Sequence, residues 1–183
     1  MANTRTLDFL DGTHFIVEKD TCRGCFINNV KHPLSELLEP VLEDKAITVR
    51  QDAEWPVPGF YIIGLRDHIG TFADIDLKML QRISIVLHVV RKAMREALGI
   101  ANVHMFQEEK FVNAHLHIWL LPLWPQVMAD HAINPRIYES NIMEYIQLFS
   151  FAQEEESIRQ CNMALKRYLC SMPLLQDEGF IVP

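Results

Sequence analysis

Ala114-His115-Leu116-His117-Ile118-Trp119-Leu120-Leu121-Pro122 alternates between apolar and polar positions, which predicts a β-strand over Ala114–Leu121 closed by a proline. Successive side chains of a strand point to opposite faces. The apolar face, expected in the core, carries Leu116, Ile118 and Leu120, and the opposite face carries His115, His117 and Trp119. Two histidines on a non-core face indicate a functional site, although the chain's eight histidines make such a pair a weak signal alone. Two half-buried polar side chains are the alternative interpretation.

The composition is that of a globular domain, with 183 residues, 49% apolar residues and 22% charged residues. The longest apolar runs, 83–90 and 118–124, are too short for a membrane span. A net charge of −7 without a basic stripe argues against nucleic-acid binding. With no secretory pattern at the N-terminus, we expect a cytoplasmic protein with neither membrane nor nucleic-acid partners.

The segments around this strand predict an α+β fold. Further strands are predicted at 15–19, 46–50, 60–65 and 102–107. A long helix is predicted from Asp74 or Asp76 to about Leu98, ended by Gly99, with an apolar stripe of Leu77, Leu80, Ile83, Leu87, Val90 and Met94. Two more helices are predicted over Ile137–Phe151 and Glu154–Ser171. We therefore expect an antiparallel sheet of about five strands with one long helix in residues 1–130, and a C-terminal helical extension in residues 131–183.

Cys22-Arg23-Gly24-Cys25 is the second chemical motif of the chain. In a reducing compartment such a pair is typical of a metal clip or a redox pair rather than of a disulfide framework. A thioredoxin-like redox pair would require a βαβ setting, which the surrounding pattern does not predict.

Several segments, in chain order, resemble the histidine triad (HIT) family of nucleotide hydrolases and transferases. Glu43–Asp52 resembles the first hairpin strand of that family, Gly59–Ile69 is similar to its second strand and following histidine, and 114–122 resembles its signature strand. The resemblance covers roughly residues 13–125, and its specificity lies in the order and spacing of the motifs. It implies a HIT-like nucleotide-binding domain.

The resemblance implies that His117 is the nucleophile, which attacks the α-phosphorus of a nucleotide and forms a nucleotidyl-histidine. A neutral imidazole suits this step, because one nitrogen is nucleophilic near neutral pH while a hydrogen bond holds the other. The resemblance also implies that Asp52 binds ribose hydroxyls. The alternative for Asp52 is a turn acid before the proline-rich loop.

The sequence departs from the family pattern at two places. Trp119 stands where a third histidine is usual, and an indole N–H donates a hydrogen bond but does not give up its proton. The usual phosphate-binding turn is also unmatched, and Lys110 and Asn113 are the substitutes we consider, with solvated turn residues as the alternative for each.

A zinc site is a further implication of the resemblance. Several branches of the family bind structural zinc through positions that correspond here to Cys22, Cys25, His68 and His115. Two thiolates and two imidazoles make a closed tetrahedral set, which suits a structural ion. Unligated cysteines and histidines are the alternative.

Three functions are compatible with these residues. The first is a nucleotide hydrolase or nucleotidyl transferase acting through His117 on a small-molecule nucleotide. The second is a non-catalytic nucleotide-binding protein, with turnover lost through Trp119 and the altered turn. The third, a zinc hydrolase, is disfavoured because the cysteines complete the coordination sphere. The resemblance also implies a homodimer formed through the long helix and the adjacent strand.

Overall fold

The computed structural model describes residues 3–29, 35–110, 114–133 and 139–183, which form an α+β structure. Its strands are β1 (Thr4–Asp8), β2 (His14–Glu18), β3 (Leu42–Glu43), β4 (Ile47–Gln51), β5 (Tyr61–Leu65), β6 (Val103–Phe106) and β7 (His117–Pro122). Its helices are α1 (Arg23–Asn29), α2 (Leu77–Leu98), α3 (Pro125–Asp130), α4 (Glu139–Ile146), α5 (Phe151–Cys170) and α6 (Pro173–Asp177).

The central sheet has five antiparallel strands in the order β3-β4-β5-β7-β6, and β1 and β2 form a separate hairpin. The predicted fold class, a five-stranded antiparallel sheet with one long helix and C-terminal helices, is therefore confirmed. The predicted strand over Ala114–Leu121 is shorter at its start, because β7 begins at His117. Among the helices of the described residues, none combines the length and the hydropathy of a transmembrane segment.

The long helix α2 begins and ends at the predicted signals. The Asp76 carboxylate accepts a hydrogen bond from the backbone N–H of Met79 at 2.7 Å, and Gly99 ends the helix in the left-handed region at φ +69°. The predicted apolar stripe is wrong over the first turn, where Leu77 is 77% exposed and Leu80 is 41% exposed. Apolar residues recur every three or four positions on two neighbouring faces of α2, so the spacing alone does not identify the buried face. Packing against the sheet buries the face that carries Met79, Ile83, Val86, Val90 and Ala93.

The C-terminal helices differ from the prediction in their bounds. The predicted helix over Ile137–Phe151 is interrupted, because the chain turns after α4 and Phe151 already belongs to α5. The backbone N–H groups of Leu148 and Phe149 bond three residues back, to Tyr145 and Ile146, in turn geometry. Helix α5 packs on α2 and places Leu165 and Leu169 in the core that the sheet and α2 share. The division into domains at residue 130 stays a prediction.

The strand register arranges the side chains of one sheet face in rows. Trp119 pairs with Ile62, which pairs with Arg50, and on its other side Trp119 pairs with Phe106. Directly paired residues share a face, so these four side chains form one row. His117 pairs with Gly64 in the next row. Leu116, Ile118 and Leu120 are buried in the core on the opposite face, as the alternation predicts.

The burial of α5 against α2 makes a direct prediction about stability. Leu165 is 0% exposed, so Leu165→Ala leaves a cavity and is expected to lower the free energy of unfolding by about 2–5 kcal/mol. Met163, 56% exposed on the same helix, is the matched control, and Met163→Ala is expected to change stability by less than about 0.5 kcal/mol. Urea denaturation followed by circular dichroism measures both. Equal effects of the two substitutions would show that α5 is not part of the folded core.

Candidate functional site

A cavity of about 510 Å³ lies over the face of the sheet that carries His117 and Trp119. Its other walls come from four parts of the chain: the N-terminal elements β1 and α1, the loop after β4, the segment after β6, and helix α4. Helix α4 contributes Ile142, Met143 and Ile146. The cavity is thus enclosed by elements that are far apart in sequence, and it brings together most of the residues selected from the sequence.

His117 begins β7 and lines this cavity, half-buried. Its Nδ1 hydrogen-bonds to the backbone carbonyl of His115, which requires the Nδ1–H tautomer and leaves the lone pair on Nε2. Within the described residues, Nε2 has no hydrogen-bond partner. Burial lowers the pKa of His117, so the ring is neutral near neutral pH. An anchored neutral imidazole with a free nitrogen in a cavity is suited to nucleophilic attack.

Trp119 is fixed on three sides. Its ring stacks on Phe106 with 4.8 Å between centroids, and it meets the His117 ring edge-on with 3.9 Å between centroids. Its indole Nε1–H donates to Oδ2 of Asp52 at 3.2 Å. The indole N–H therefore donates to the Asp52 carboxylate and is not available as a donor to a ligand bound beside His117.

Asp52 follows β4 and is buried at the cavity wall. Its Oδ1 accepts hydrogen bonds from the backbone N–H groups of Glu54 at 2.8 Å and Trp55 at 3.0 Å. Burial raises the pKa of this carboxyl to about 6, and the two backbone hydrogen bonds oppose that rise. Asp52 thus caps a turn and also lines the cavity, so the two interpretations of its sequence position are compatible.

Of the two residues selected as phosphate ligands, Lys110 lines the cavity. Its Nζ lies 5.9 Å from the Trp119 ring centroid and 3.6 Å from a carboxylate oxygen of Glu108. Its side chain is half exposed, which allows the ammonium group to reach a ligand. Asn113 lies outside the described residues.

Cys22, Cys25, His68 and His115 form a cluster whose four ligand atoms lie within 4.8 Å of one another. Sγ of Cys25 is 3.2 Å from Nδ1 of His68, and both sulfur atoms are 3.5 Å from Nδ1 of His115. Tetrahedral zinc, with Zn–S near 2.3 Å and Zn–N near 2.0–2.1 Å, separates sulfur and nitrogen ligands by about 3.5 Å. The cluster has the composition and the spacing of a closed tetrahedral metal site.

Two neighbouring features adapt this cluster to a cation. The Nε2 of His115 is 2.8 Å from the carbonyl oxygen of Leu65, so an Nε2–H tautomer leaves Nδ1 free to bind metal. A Cβ at Gly24 would lie 2.4 Å from the His115 ring, so the absence of a side chain there allows the close approach. Burial, together with the neighbouring Cys22 thiol, raises the pKa of Cys25 to about 11, which a bound cation would reverse.

The structure adds cavity residues that the sequence reasoning missed. Arg50 lies on the same strand face as Asp52, two residues away, and lines the cavity. The alternation of β4 was a signal that could have identified it. The apolar residues of α4 carried no such signal, since only the tertiary packing brings this helix to the sheet.

The raised pKa of Asp52 predicts a pH dependence of stability. Between about pH 4 and pH 6 the folded state binds more protons at this site than the unfolded state, so its contribution to stability falls as pH rises through 6. The rise from 3.8 to about 6 corresponds to roughly 3 kcal/mol. We expect the unfolding free energy of the natural chain, relative to Asp52→Asn, to fall by that order between pH 4 and pH 7.

Thermal and urea denaturation at each pH measures this difference. Asp20→Asn, at an exposed position, is the control and should leave the pH profile unchanged. A difference between the natural chain and Asp52→Asn that stays constant or grows with pH would contradict the assignment.

Comparison of the sequence with protein-family models and with curated proteins finds no match, whereas solved structures match the fold. A Zn-bound histidine triad family protein from Mycobacterium smegmatis is 16% identical, with 83% of this chain and 98% of that chain covered and a TM-score of 0.57. A hypothetical histidine triad nucleotide-binding protein from Sulfolobus tokodaii strain 7 is 19% identical, covering 86% and 96%, with a TM-score of 0.55. Diadenosine triphosphate hydrolase from Plasmodium falciparum is 13% identical, covering 76% and 81%, with a TM-score of 0.50. The chain therefore has the histidine triad fold that its sequence motifs predict.

Proposed function

We propose that this protein is a nucleotide hydrolase or nucleotidyl transferase, and that it forms a covalent nucleotidyl-His117 intermediate. The observation that carries the proposal is the His117 ring, which lines the cavity, is anchored through Nδ1 and has no partner for Nε2 among the described residues. Burial lowers its pKa, which favours the neutral, nucleophilic form. The names of two similar structures, a nucleotide-binding protein and a diadenosine triphosphate hydrolase, give independent support. The substrate is a nucleotide or a dinucleoside polyphosphate.

The reaction has two displacements at the α-phosphorus. The Nε2 lone pair of His117 forms a nitrogen–phosphorus bond while the bond to the leaving oxygen breaks, and the leaving group departs with that electron pair. The oxygen of water or of another acceptor hydroxyl then attacks the phosphorus and releases its proton to solvent. The nitrogen–phosphorus bond breaks, and its electrons return to the imidazole.

Trp119 restricts the leaving group in this scheme. Its N–H donates to Asp52 and is not acidic enough to protonate a departing atom. The favoured leaving groups are therefore those that need no proton, phosphate and pyrophosphate, rather than amines. Lys110 stabilises phosphate charge from the edge of the cavity, and Asn113 is a second phosphate contact in the proposal.

Asp52 binds the ribose hydroxyls in this proposal. Its Oδ2 accepts one hydrogen bond, from Trp119, and a carboxylate oxygen has room for another donor. The backbone hydrogen bonds to Oδ1 hold the carboxylate in place while a ligand binds.

A second function is favoured by one observation. Because the Trp119 N–H is bound to Asp52, the site beside His117 has no side-chain acid at the position of the third histidine. A non-catalytic nucleotide-binding protein, which retains the ribose and base pocket without turnover, is therefore the alternative.

We also propose that the Cys22, Cys25, His68 and His115 cluster holds a structural zinc ion. The mixed thiolate and imidazole donor set supports zinc over calcium or magnesium, which require oxygen ligands. Zinc would fix His115, two residues before β7 begins at His117, and so stiffen the approach to that strand without contacting the phosphate. The cytoplasmic location and the homodimer stay predictions.

The covalent intermediate is tested with radiolabelled diadenosine and diguanosine polyphosphates, mixed with the protein and quenched with base. We expect an acid-labile protein-bound nucleotide, because a phosphorus–nitrogen bond survives base but not acid. His117→Ala should abolish the adduct and lower turnover by at least about three orders of magnitude. His88→Ala, at an exposed position on α2, is the control. Tight nucleotide binding with neither adduct nor product would establish the alternative function instead.

The metal proposal is tested by elemental analysis of the protein purified under reducing conditions. We expect about one zinc ion per chain in the natural protein, and its loss in Cys22→Ser and in His68→Ala. Cys170→Ser and His14→Ala, at exposed positions outside the cluster, should retain the ion. Because metal binding stabilises the folded state, chelation should also lower the melting temperature. Protein that folds fully without bound metal would contradict the proposal.

A further inference from the structure

Arg50 is a buried cation at the cavity wall that the proposed chemistry does not use. It is the fourth of the five residues of β4, is 3% exposed, and shares a row with Ile62 and Trp119 on the cavity face of the sheet. Burial lowers the pKa of its guanidinium only to about 10, so the group stays charged at neutral pH.

The hydrogen bonds of Arg50 leave donors unused. Its Nη1 donates to the carbonyl oxygen of Leu38 at 3.1 Å, whereas its buried Nε has no partner. Among the described residues no carboxylate forms an ion pair with it. Two acids that line the cavity bind other cations, since Glu54 pairs with Arg23 at 2.9 Å and Glu108 with Lys110 at 3.6 Å. A buried guanidinium with unfilled donors is costly unless a ligand supplies acceptors.

The position of Arg50 relative to His117 identifies which part of a nucleotide would meet it. Arg50 lies two strands away from His117 and two residues further along the sheet. Its Cα atom is therefore displaced from that of His117 by roughly 10 Å across the strands and roughly 7 Å along them. A nucleotide with its α-phosphorus at His117 and its ribose at Asp52 extends its base toward this region. Ile27, Ile62 and Phe60 line the cavity with Arg50, and such apolar walls suit the faces of a planar base.

We propose that Arg50 reads the base and selects a 6-oxopurine, guanine or hypoxanthine, over adenine. A guanidinium only donates hydrogen bonds. The O6 and N7 atoms of a 6-oxopurine are both acceptors and match its paired donors, whereas adenine presents an N6 amino donor beside N7. With adenine bound, a buried N–H of Arg50 would therefore face the N6 amino group, which is also a donor. This inference rests on the proposed function and names the base that the site prefers.

Calorimetric titration of the full chain with GMP, IMP and AMP tests the inference. GMP and IMP should bind with similar affinity and roughly 10-fold or more tighter than AMP. IMP is the decisive ligand, because it carries the O6 and N7 edge of guanine without the N2 amino group. The comparison therefore isolates the edge that Arg50 would contact.

Two substitutions connect the preference to Arg50. Arg50→Met keeps the apolar stem and should reduce the preference for IMP over AMP to about 2-fold or less, mainly by weakening IMP binding. Arg50→Lys keeps the charge without the paired donors and should retain only part of the preference. Arg95→Met, which removes an exposed cation from α2, should leave the preference unchanged. If Arg50→Met fails to fold, the preference for IMP over AMP is compared between Arg50→Lys and the natural chain instead.

The outcomes separate this inference from the proposed function. Equal binding of AMP and IMP, or a preference that survives in both Arg50 variants, overturns the base assignment and leaves nucleotide binding intact. Inorganic pyrophosphate that binds in an Arg50-dependent manner and displaces all three nucleotides equally shows an anion site instead, which also overturns it. Failure of every nucleotide to bind overturns the proposed function together with the inference.

Discussion

His115 joins three parts of the chain that are remote in sequence. Its Nε2 contacts the carbonyl oxygen of Leu65 on β5, and its Nδ1 lies 3.5 Å from the sulfur atoms of Cys22 and Cys25 at the start of α1. The peptide carbonyl of the same residue anchors Nδ1 of His117. One histidine therefore connects the N-terminal elements to the sheet and orients the ring proposed as the nucleophile. This junction borders the cavity, because residues of α1 and His115 both line it.

The cavity face combines side chains that hydrogen-bond to one another with a cation that has unfilled hydrogen-bond donors. Trp119, Asp52 and the backbone of the loop after β4 are bound to one another, so the carboxylate and the indole hold each other in place. Arg50, two strands away from Trp119, retains unfilled donors in the same cavity. A fixed acceptor and an available cation in a partly apolar cavity provide the few convergent polar groups that orient a small ligand.

The C-terminal helices contribute to both stability and the cavity. Helix α5 lies on α2 and buries Leu165 and Leu169 in the main core. Helix α4 brings Ile142, Met143 and Ile146 to the cavity, where they add apolar wall. The Tyr145 hydroxyl fixes α4 to the end of β7 by donating to the Pro122 carbonyl oxygen at 2.8 Å. The segment beyond residue 130 thus shapes the space available to a ligand.

The sequence by itself determined the order and type of the main elements, because periodicity, capping and chain breaks act locally. Asp76 and Gly99 bound α2 where their side-chain and backbone preferences predict, and the alternation around His117 separates a core face from a cavity face. The four-residue metal cluster followed from motif resemblance, not from local physics. Only the tertiary structure decided which of two apolar stripes of α2 is buried, that the indole of Trp119 binds Asp52, and that Arg50 is left without a carboxylate partner among the described residues. These features depend on strand register and packing between segments distant in sequence, and no local pattern of residue types specifies such contacts.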